Sequence, residues 1–284
     1  MRNSDLHVHS YYSDGELSPK QVIQLAKKRG LKFLALTDHN SFSGVQEAVR
    51  EGRRIGVNVI PAIEIATKEN EILAYFVDSN NRALNNAVNS FNRTTNSRIM
   101  DICKQLNKQG YKVSYSDLER RFPHARGNYN YLHISNVLLD RGYISTLFEV
   151  IGLVKEKVPK KKKVEENSTI KIIKLVRAAG GVPVLSHPWV SDESRDLLRD
   201  RVMKKLVKAG LCGLELDNGD KPPFKRPYVV KKIKKLARRY NLVLTSGSDF
   251  HGPVMTKFSK THYLGKPGCD ESVVYELLKR KLCK

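Results

Sequence analysis

Apolar residues in this chain follow two alternating rhythms. Short apolar runs, among them Leu6 to His9, Phe33 to Leu36, Val57 to Ile60, Val182 to Leu185, Gly213 to Leu216 and Leu242 to Leu244, have the length of buried strands. Between them lie stretches whose apolar residues recur at helical spacing. In the first of these, Ser18 reads as an N-cap with Pro19 at the first helical position, and Val22, Ile23, Leu25 and Ala26 form an inward stripe that Gly30 ends. The same reading predicts helices over about Gly44 to Ile55, from Ile170 to the Gly180-Gly181 pair, and over Leu197 to Ala209, Pro227 to Tyr240 and Glu271 to Leu282. Strand followed by helix, repeated, predicts an α/β fold whose parallel sheet or barrel gathers its chemistry at the carboxyl ends of the strands.

The stretch from about Asn81 to Val164 breaks this pattern. Leu84, Val88, Phe91, Ile99, Ile102, Cys103 and Leu106 predict one long helix over residues 81 to 109 that stops at Gly110. A turn and short helix follow over Tyr111 to Phe122, then a helix from His133 to Arg141 closed by Gly142. These features predict a mainly helical insertion at 81–164 within a barrel formed by 1–80 and 165–284. Its end, Lys160-Lys161-Lys162-Lys163 after Pro159, reads as a solvated linker.

Polar residues at the strand ends carry the candidate chemistry. In a strand from Leu6 to His9, His7 and His9 point to the same side, and the turn residues Ser13-Asp14-Gly15 can bend the Asp14 carboxylate back over them. One such histidine reads as structural. His7, His9, Asp14, His39, Glu64, His187, Asp249 and His251, however, all fall at or near predicted strand ends, which share one rim in a barrel. So many imidazoles and carboxylates on one rim point to a multinuclear metal centre. Nitrogen and oxygen donors without thiolate suit Zn, Mn or Fe, and the sequence does not choose among them. Asp38 is expected to orient its neighbour His39.

Composition adds a field and excludes some chemistries. The formal net charge is +22, from 51 Lys and Arg against 29 Asp and Glu, and such an excess attracts polyanions, phosphates above all; a solvated lysine-rich surface explains it equally well. Cys103, Cys212, Cys269 and Cys283 are scattered, with no Cys-x-x-Cys pair, and are expected to be free thiols. No apolar signal core follows Met1 and no stretch approaches a membrane span, so a cytoplasmic location without a membrane partner is expected. There is neither a Gly-rich phosphate loop nor a Gly-x-Ser-x-Gly elbow, which disfavours P-loop triphosphatases and serine hydrolases.

Asp5-Leu6-His7-Val8-His9-Ser10 with Ser13-Asp14-Gly15, Leu36-Thr37-Asp38-His39-Asn40, Glu64, His187 and Gly247-Ser248-Asp249-Phe250-His251 together resemble the motifs of the PHP (polymerase and histidinol phosphatase) superfamily. Arg177 to Pro188 and Gly247 to Gly252 are most similar to its stand-alone phosphoesterases of nucleoside 3',5'-bisphosphates and short RNA. The resemblance implies a distorted (β/α)7 barrel with a helical substrate-recognition insertion and two or three divalent metal ions. By motif, His7, His9, Glu64 and Asp249 would hold one ion, and Asp14, His39 and His251 a second, with Glu64 bridging to a third beside His187. Asp14, His39, His187 and His251 would also serve catalysis.

Two departures stand out. Where such relatives place a third-site histidine this chain has Glu71, which either supplies an oxygen donor in its place or leaves that site weak. Before His133 in the insertion, Tyr131-Leu132 stands where such relatives carry Arg-Pro or Arg-Thr, so Arg126, Tyr131 and His133 become the candidate substrate contacts. His133, His187 and a metal-bound water are all candidates for the general acid. The expected function is metal-dependent hydrolysis of phosphate esters on a phosphorylated small molecule or short nucleic acid, with Tyr111, Tyr115, Tyr129 and Tyr131 available to stack bases. The alternatives are an amidohydrolase-like C–N hydrolase and a metal-stabilised nucleic-acid-binding module without activity.

Overall fold

The computed structural model describes residues 2–158, 168–220 and 227–282. The chain begins with β1 (Ser4–Val8), α1 (Pro19–Lys28), β2 (Phe33–Leu36) and α2 (Val45–Ile55), followed by β3 (Asn58–Ala66) and β4 (Glu71–Tyr75). Next come α3 (Arg82–Lys108), α4 (Tyr115–Arg121), α5 (Tyr131–Asp140) and α6 (Glu149–Lys157). The chain then continues through α7 (Thr169–Ala178), β5 (Val182–Leu185), α8 (Asp192–Asp196), α9 (Asp200–Lys208), β6 (Gly213–Asp217), α10 (Pro227–Tyr240), β7 (Val243–Ser246), α11 (Pro253–Ser259) and α12 (Glu271–Leu282). The lysine run 160–163 lies outside the described residues.

The strands form one seven-stranded sheet in sequence order. It curls until β1 meets the segment after β7, where His9 N donates to Phe250 O at 2.9 Å and Asp249 N to His7 O at 2.8 Å. The result is an α/β fold around a nearly closed barrel. Side chains alternate across its wall. Ile63 and Ile65 of β3 face the outer helices and pack with Ile173 of α7 and Ile233 of α10, whereas Ile60 and Ala62 face inward onto Leu73, Val184 and Val243. Val274 and Leu277 of α12 join that inner layer and close one end of the barrel, so the polar inward residues collect at the other.

One stretch departs from the parallel pattern expected of the strands. β3 pairs in parallel with β2 through Leu36 and Pro61, then antiparallel with β4 from Ala62 opposite Tyr75 to Ala66 opposite Glu71. Pro61, which has no N–H to give, sits where the strand changes partner. The tight Thr67–Asn70 turn joins the two strands, with Thr67 N and Oγ1 both donating to Asn70 O. β4 therefore runs backwards, and its first residue, Glu71, lands on the rim where the parallel strands end. Glu64 likewise lies within a nine-residue strand rather than beyond a shorter one.

The insertion has a core of its own. Ile99, Ile102 and Leu106 of α3 pack with Leu118, Ile134, Leu138 and Val150, while Leu84 and Val88 from the first turns of the same helix belong to the barrel's outer core. The 27-residue helix thus ties the two cores together.

Closure of the barrel depends on one glycine. A Cβ on Gly247 would lie 2.3 Å from His7 N and 2.4 Å from His7 Cβ. Gly247→Ala must push β7 off β1 at the strand that carries His7 and leads directly into His9. The expected cost is about 3 kcal/mol or more, read by denaturant titration; a midpoint equal to wild type would mean that this contact is slack.

Candidate metal centre

β1 places His7 and His9 on one side, as strand geometry requires. Both are fully buried. After Val8 the chain turns back so tightly that a Cβ on Gly15 would meet the His9 carbonyl at 2.8 Å, and this turn carries Asp14 over the histidines. Asp38 fixes the turn: its carboxylate accepts from Ser10 N at 2.6 Å, Ser10 Oγ at 2.7 Å and Ser13 Oγ at 2.8 Å. The expectation that Asp38 orients His39 is corrected, because successive residues of an extended chain face opposite ways. Asp5 has the matching role on the far side, accepting from Ser248 N and Oγ, Gly265 N and His7 N, and so holding the loop that presents Asp249. Burial pushes the carboxyls of both Asp5 and Asp38 up to about 6. Asp249 itself sits at φ 52°, a left-handed conformation that Asp tolerates better than most side chains.

All the predicted metal ligands come together. Glu64 is at the centre: its Oε2 lies 3.0 Å from His7 Nε2, 3.4 Å from His9 Nε2 and 3.2 Å from His39 Nδ1, and its Oε1 lies 3.2 Å from His187 Nε2. Asp249 Oδ1 is 3.4 Å from His7 and 3.1 Å from His9, and Asp14 approaches His251 at 3.4 Å and His39 at 3.7 Å. Glu71 spans His39 at 3.4 Å and His187 at 3.5 Å, so the residue that departs from the family pattern points into the cluster. Donor atoms within 4.8 Å of one another fall into four overlapping groups: His9, Asp14, His39 and His251; His7, Glu64 and His187; His7, His9 and Asp249; His39, Glu64 and Glu71.

The electrostatics are those of donors packed for cations. Burial opposes ionisation of Glu64, Asp14 and Asp249, yet the imidazoles around them hold all three carboxyls well below the usual range. His9 is driven down to about 3 by burial and by the neighbouring His251 and His39. Burial also opposes protonation of His187 and His251, but Glu64 for the first and Asp14 for the second raise them to about 10. Three buried atoms of the cluster, His9 Nδ1, Asp14 Oδ1 and His187 Nδ1, have no hydrogen-bond partner. Buried polar atoms are rarely left in that state. The orphaned atoms and the oxygen–nitrogen donor set fit divalent cations, and the clusters are capable of coordinating more than one.

Some partners were not visible in the sequence. Glu215, buried in β6, accepts from His7 Nδ1 at 2.9 Å and from His187 N at 2.8 Å, which turns His7 Nε2 towards Glu64. Its only signal was a charge at an inward position of an apolar strand. Asn130, the N-cap of α5, donates to Asp14 Oδ2 at 2.5 Å; Asn218 donates to Asp249 Oδ2 at 3.3 Å, and Asn128 to the carbonyl of His39.

The expected substrate contacts are arranged differently. His133 is buried, accepts from Asn130 N through Nδ1 and donates through Nε2 to Ser13 O at 2.9 Å, so it braces the Asp14 turn and offers neither nitrogen to a substrate. Burial lowers it to about 4. Tyr129 is buried in the insertion core, and Tyr111, Tyr115 and Tyr131 are partly buried against it. Arg126 is exposed, 6.0 Å from the Tyr12 ring centroid, on the side of the insertion that faces the Asp14 turn.

The PHP domain family model matches residues 5–175. Phosphoribosyl 1,2-cyclic phosphate 1,2-diphosphodiesterase of Eggerthella lenta is 31% identical over 92% of this chain and 97% of its own length. The 3',5'-nucleoside bisphosphate phosphatase of Chromobacterium violaceum is 28% identical over 89% of this chain and 88% of its own. The structure also superposes on that of a Bifidobacterium adolescentis protein assigned as a metal-dependent phosphoesterase, with a TM-score of 0.83, 26% identity and coverage of 98% of this chain and 96% of the other. With the motifs, the barrel and the ligand cluster all in place, the chain belongs to the PHP domain family.

Proposed function

We infer that this chain is a metal-dependent phosphoesterase that acts on nucleotides, with nucleoside 3',5'-bisphosphates and short oligonucleotide ends as its substrates. The observation that carries this reading is the convergence of five imidazoles and four carboxylates on one buried rim. The names of the Chromobacterium violaceum and Eggerthella lenta relatives share a phosphate ester on a sugar, which supports the substrate class.

In this reading His7, His9, Glu64 and Asp249 hold one divalent ion, Asp14, His39 and His251 a second, and Glu64, Glu71 and His187 a third. Mn, Fe and Zn all suit these donors. Such ions, when bound, lower the pKa of water and polarise a phosphoryl oxygen. The protein's own residues set the geometry. Glu215 fixes the ring of His7, Asn130 occupies one oxygen of Asp14 and leaves the other facing His251, and His133 keeps the Asp14 turn closed. Within the insertion, residues 81–158 form the recognition wall, with Arg126 as an exposed cation for a second phosphate.

The direct test is phosphate release from a nucleoside 3',5'-bisphosphate and from a 5'-phosphorylated oligonucleotide by protein loaded with Mn, Fe or Zn, beside a panel of amides. Release from the nucleotides alone is the expected result. Turnover confined to the amides would transfer the protein to the C–N hydrolases.

Glu71 gives a second test. Replacing its oxygens with an imidazole softens the third site, so Glu71→His is expected to lower the Mn-to-Zn ratio of protein equilibrated against an equal mixture by roughly tenfold. An unchanged ratio on elemental analysis would remove Glu71 from the ligands.

A further inference from the structure

A large share of the excess positive charge lies on one outer face of the barrel. α10 carries Lys231, Lys232, Lys234, Lys235, Arg238 and Arg239, and no acid. All six are exposed, because Val229, Ile233, Leu236 and Ala237 take the opposite side of the helix into the core. The neighbouring α9 adds Arg201, Lys204, Lys205 and Lys208, also exposed. The two helices thus present ten cations and one acid, Asp200, whose carboxylate is already engaged by Arg239 at 3.1 Å and by Tyr240 Oη at 3.1 Å. On α2, by contrast, Glu51 clasps Arg54 at 2.8 Å, and α1 and α7, which also lack acids, carry three cations each. Like charges packed this closely repel one another and do not help the fold.

Place and shape fit an extended polyanion. α10 follows β6, whose carboxyl end reaches the metal centre through Asn218, so the helix starts on the side of the active rim and leads away from it. Its cations span about 12 Å, at 1.5 Å per residue. Tyr228, 57% exposed, stands at the rim end, and an aromatic ring beside a row of cations is the usual pairing for single-stranded nucleic acid. An anionic membrane is a poorer match, since an interfacial helix needs a free apolar face and that of α10 is buried in the core.

We propose that the α9–α10 face is a docking surface for the phosphodiester backbone of single-stranded nucleic acid. It serves chains longer than a mononucleotide, and it does so apart from the hydrolytic centre. The test is fluorescence anisotropy of a labelled single-stranded RNA of about twelve nucleotides, within the site sizes of such surfaces, in chelator so that no cleavage intervenes. The triple variant Lys231→Gln, Lys234→Gln, Lys235→Gln is compared with Lys20→Gln, Lys27→Gln, Lys28→Gln, which removes the same charge from exposed positions of α1. The α10 triple is expected to bind about tenfold more weakly at about 0.15 M salt, with a salt slope less steep by about two. The α1 triple should lose less than about twofold. Equal losses would mean that net charge alone attracts RNA, and an unchanged α10 triple would mean that the face is idle; either result overturns the proposal. So does an α10 triple that loses binding to vesicles of phosphatidylserine and phosphatidylcholine while keeping its RNA affinity. Because the binding is measured without metal, its outcome stands whether or not the protein proves to be a phosphoesterase. Where it is one, the α10 triple should turn over a mononucleotide at the wild-type rate.

Discussion

Asp14→Ala should lower phosphate release by about three orders of magnitude or more, because bound metal takes the pKa of water from about 15.7 to about 7 and, in the proposed assignment, this variant loses a ligand of that metal. The barrel should survive. Asp14 belongs to a turn outside the strands, and that turn is tied down independently by Asp38 through Ser10 and Ser13 and by His133 through Ser13 O. The carboxylate's own hydrogen bond goes to Asn130, on the polar surface between the rim and the insertion. Far-UV circular dichroism and the melting midpoint should therefore stay near wild type while the metal content falls by one ion per chain. Turnover at the wild-type rate would show that the Asp14, His39 and His251 group is not where the reaction happens.

Glu64→Gln should strip the centre more completely. Its two oxygens lie within 3.4 Å of nitrogens on His7, His9, His39 and His187, so one side chain serves every part of the cluster. Burial works against its charge, but the imidazoles of His7 and His39 hold it ionised far below neutral pH. Glutamine keeps the shape and removes the charge. It also replaces an anionic oxygen donor with a neutral amide, a much weaker ligand for a divalent cation. Metal affinity should drop by more than about 100-fold, beyond the range seen when a residue merely supports a ligand. Elemental analysis after dialysis reads this directly: less than half the wild-type metal is expected, and full retention would leave the centre without its bridge. The two variants differ in kind. Asp14→Ala removes one ion and the chemistry, whereas Glu64→Gln removes the ions together.

Much of the architecture was legible because its rules are local. Ser18 caps α1 and Asn81 caps α3 where the apolar periodicity begins, and strand alternation alone puts His7 and His9 on one side. The antiparallel β4 was not legible. A short turn such as Thr67–Asn70 and a longer connection look alike until the strands on either side are paired. The helix expected over 197–209 corresponds to α9, and the short α8 that precedes it was not read from the apolar pattern.

Which residues could ligate a metal was thus largely a property of the sequence: His7, His9, Asp14, His39, Glu64, His187, Asp249 and His251 can be named from residue type and position, and Glu71 from the family resemblance. Which atoms face one another was a property of the closed barrel. Only closure brings Glu215 of β6 behind His7 of β1, only the packing of the insertion brings Asn130 onto Asp14, and only the reversal of β4 carries Glu71 to the rim. The same closure turned His133 and Asp38 from expected partners of substrate and His39 into braces for one turn. Spacing along a chain governs neighbours a few residues apart, but the partners in this centre are separated by tens to hundreds of residues and meet only where seven strands share an end.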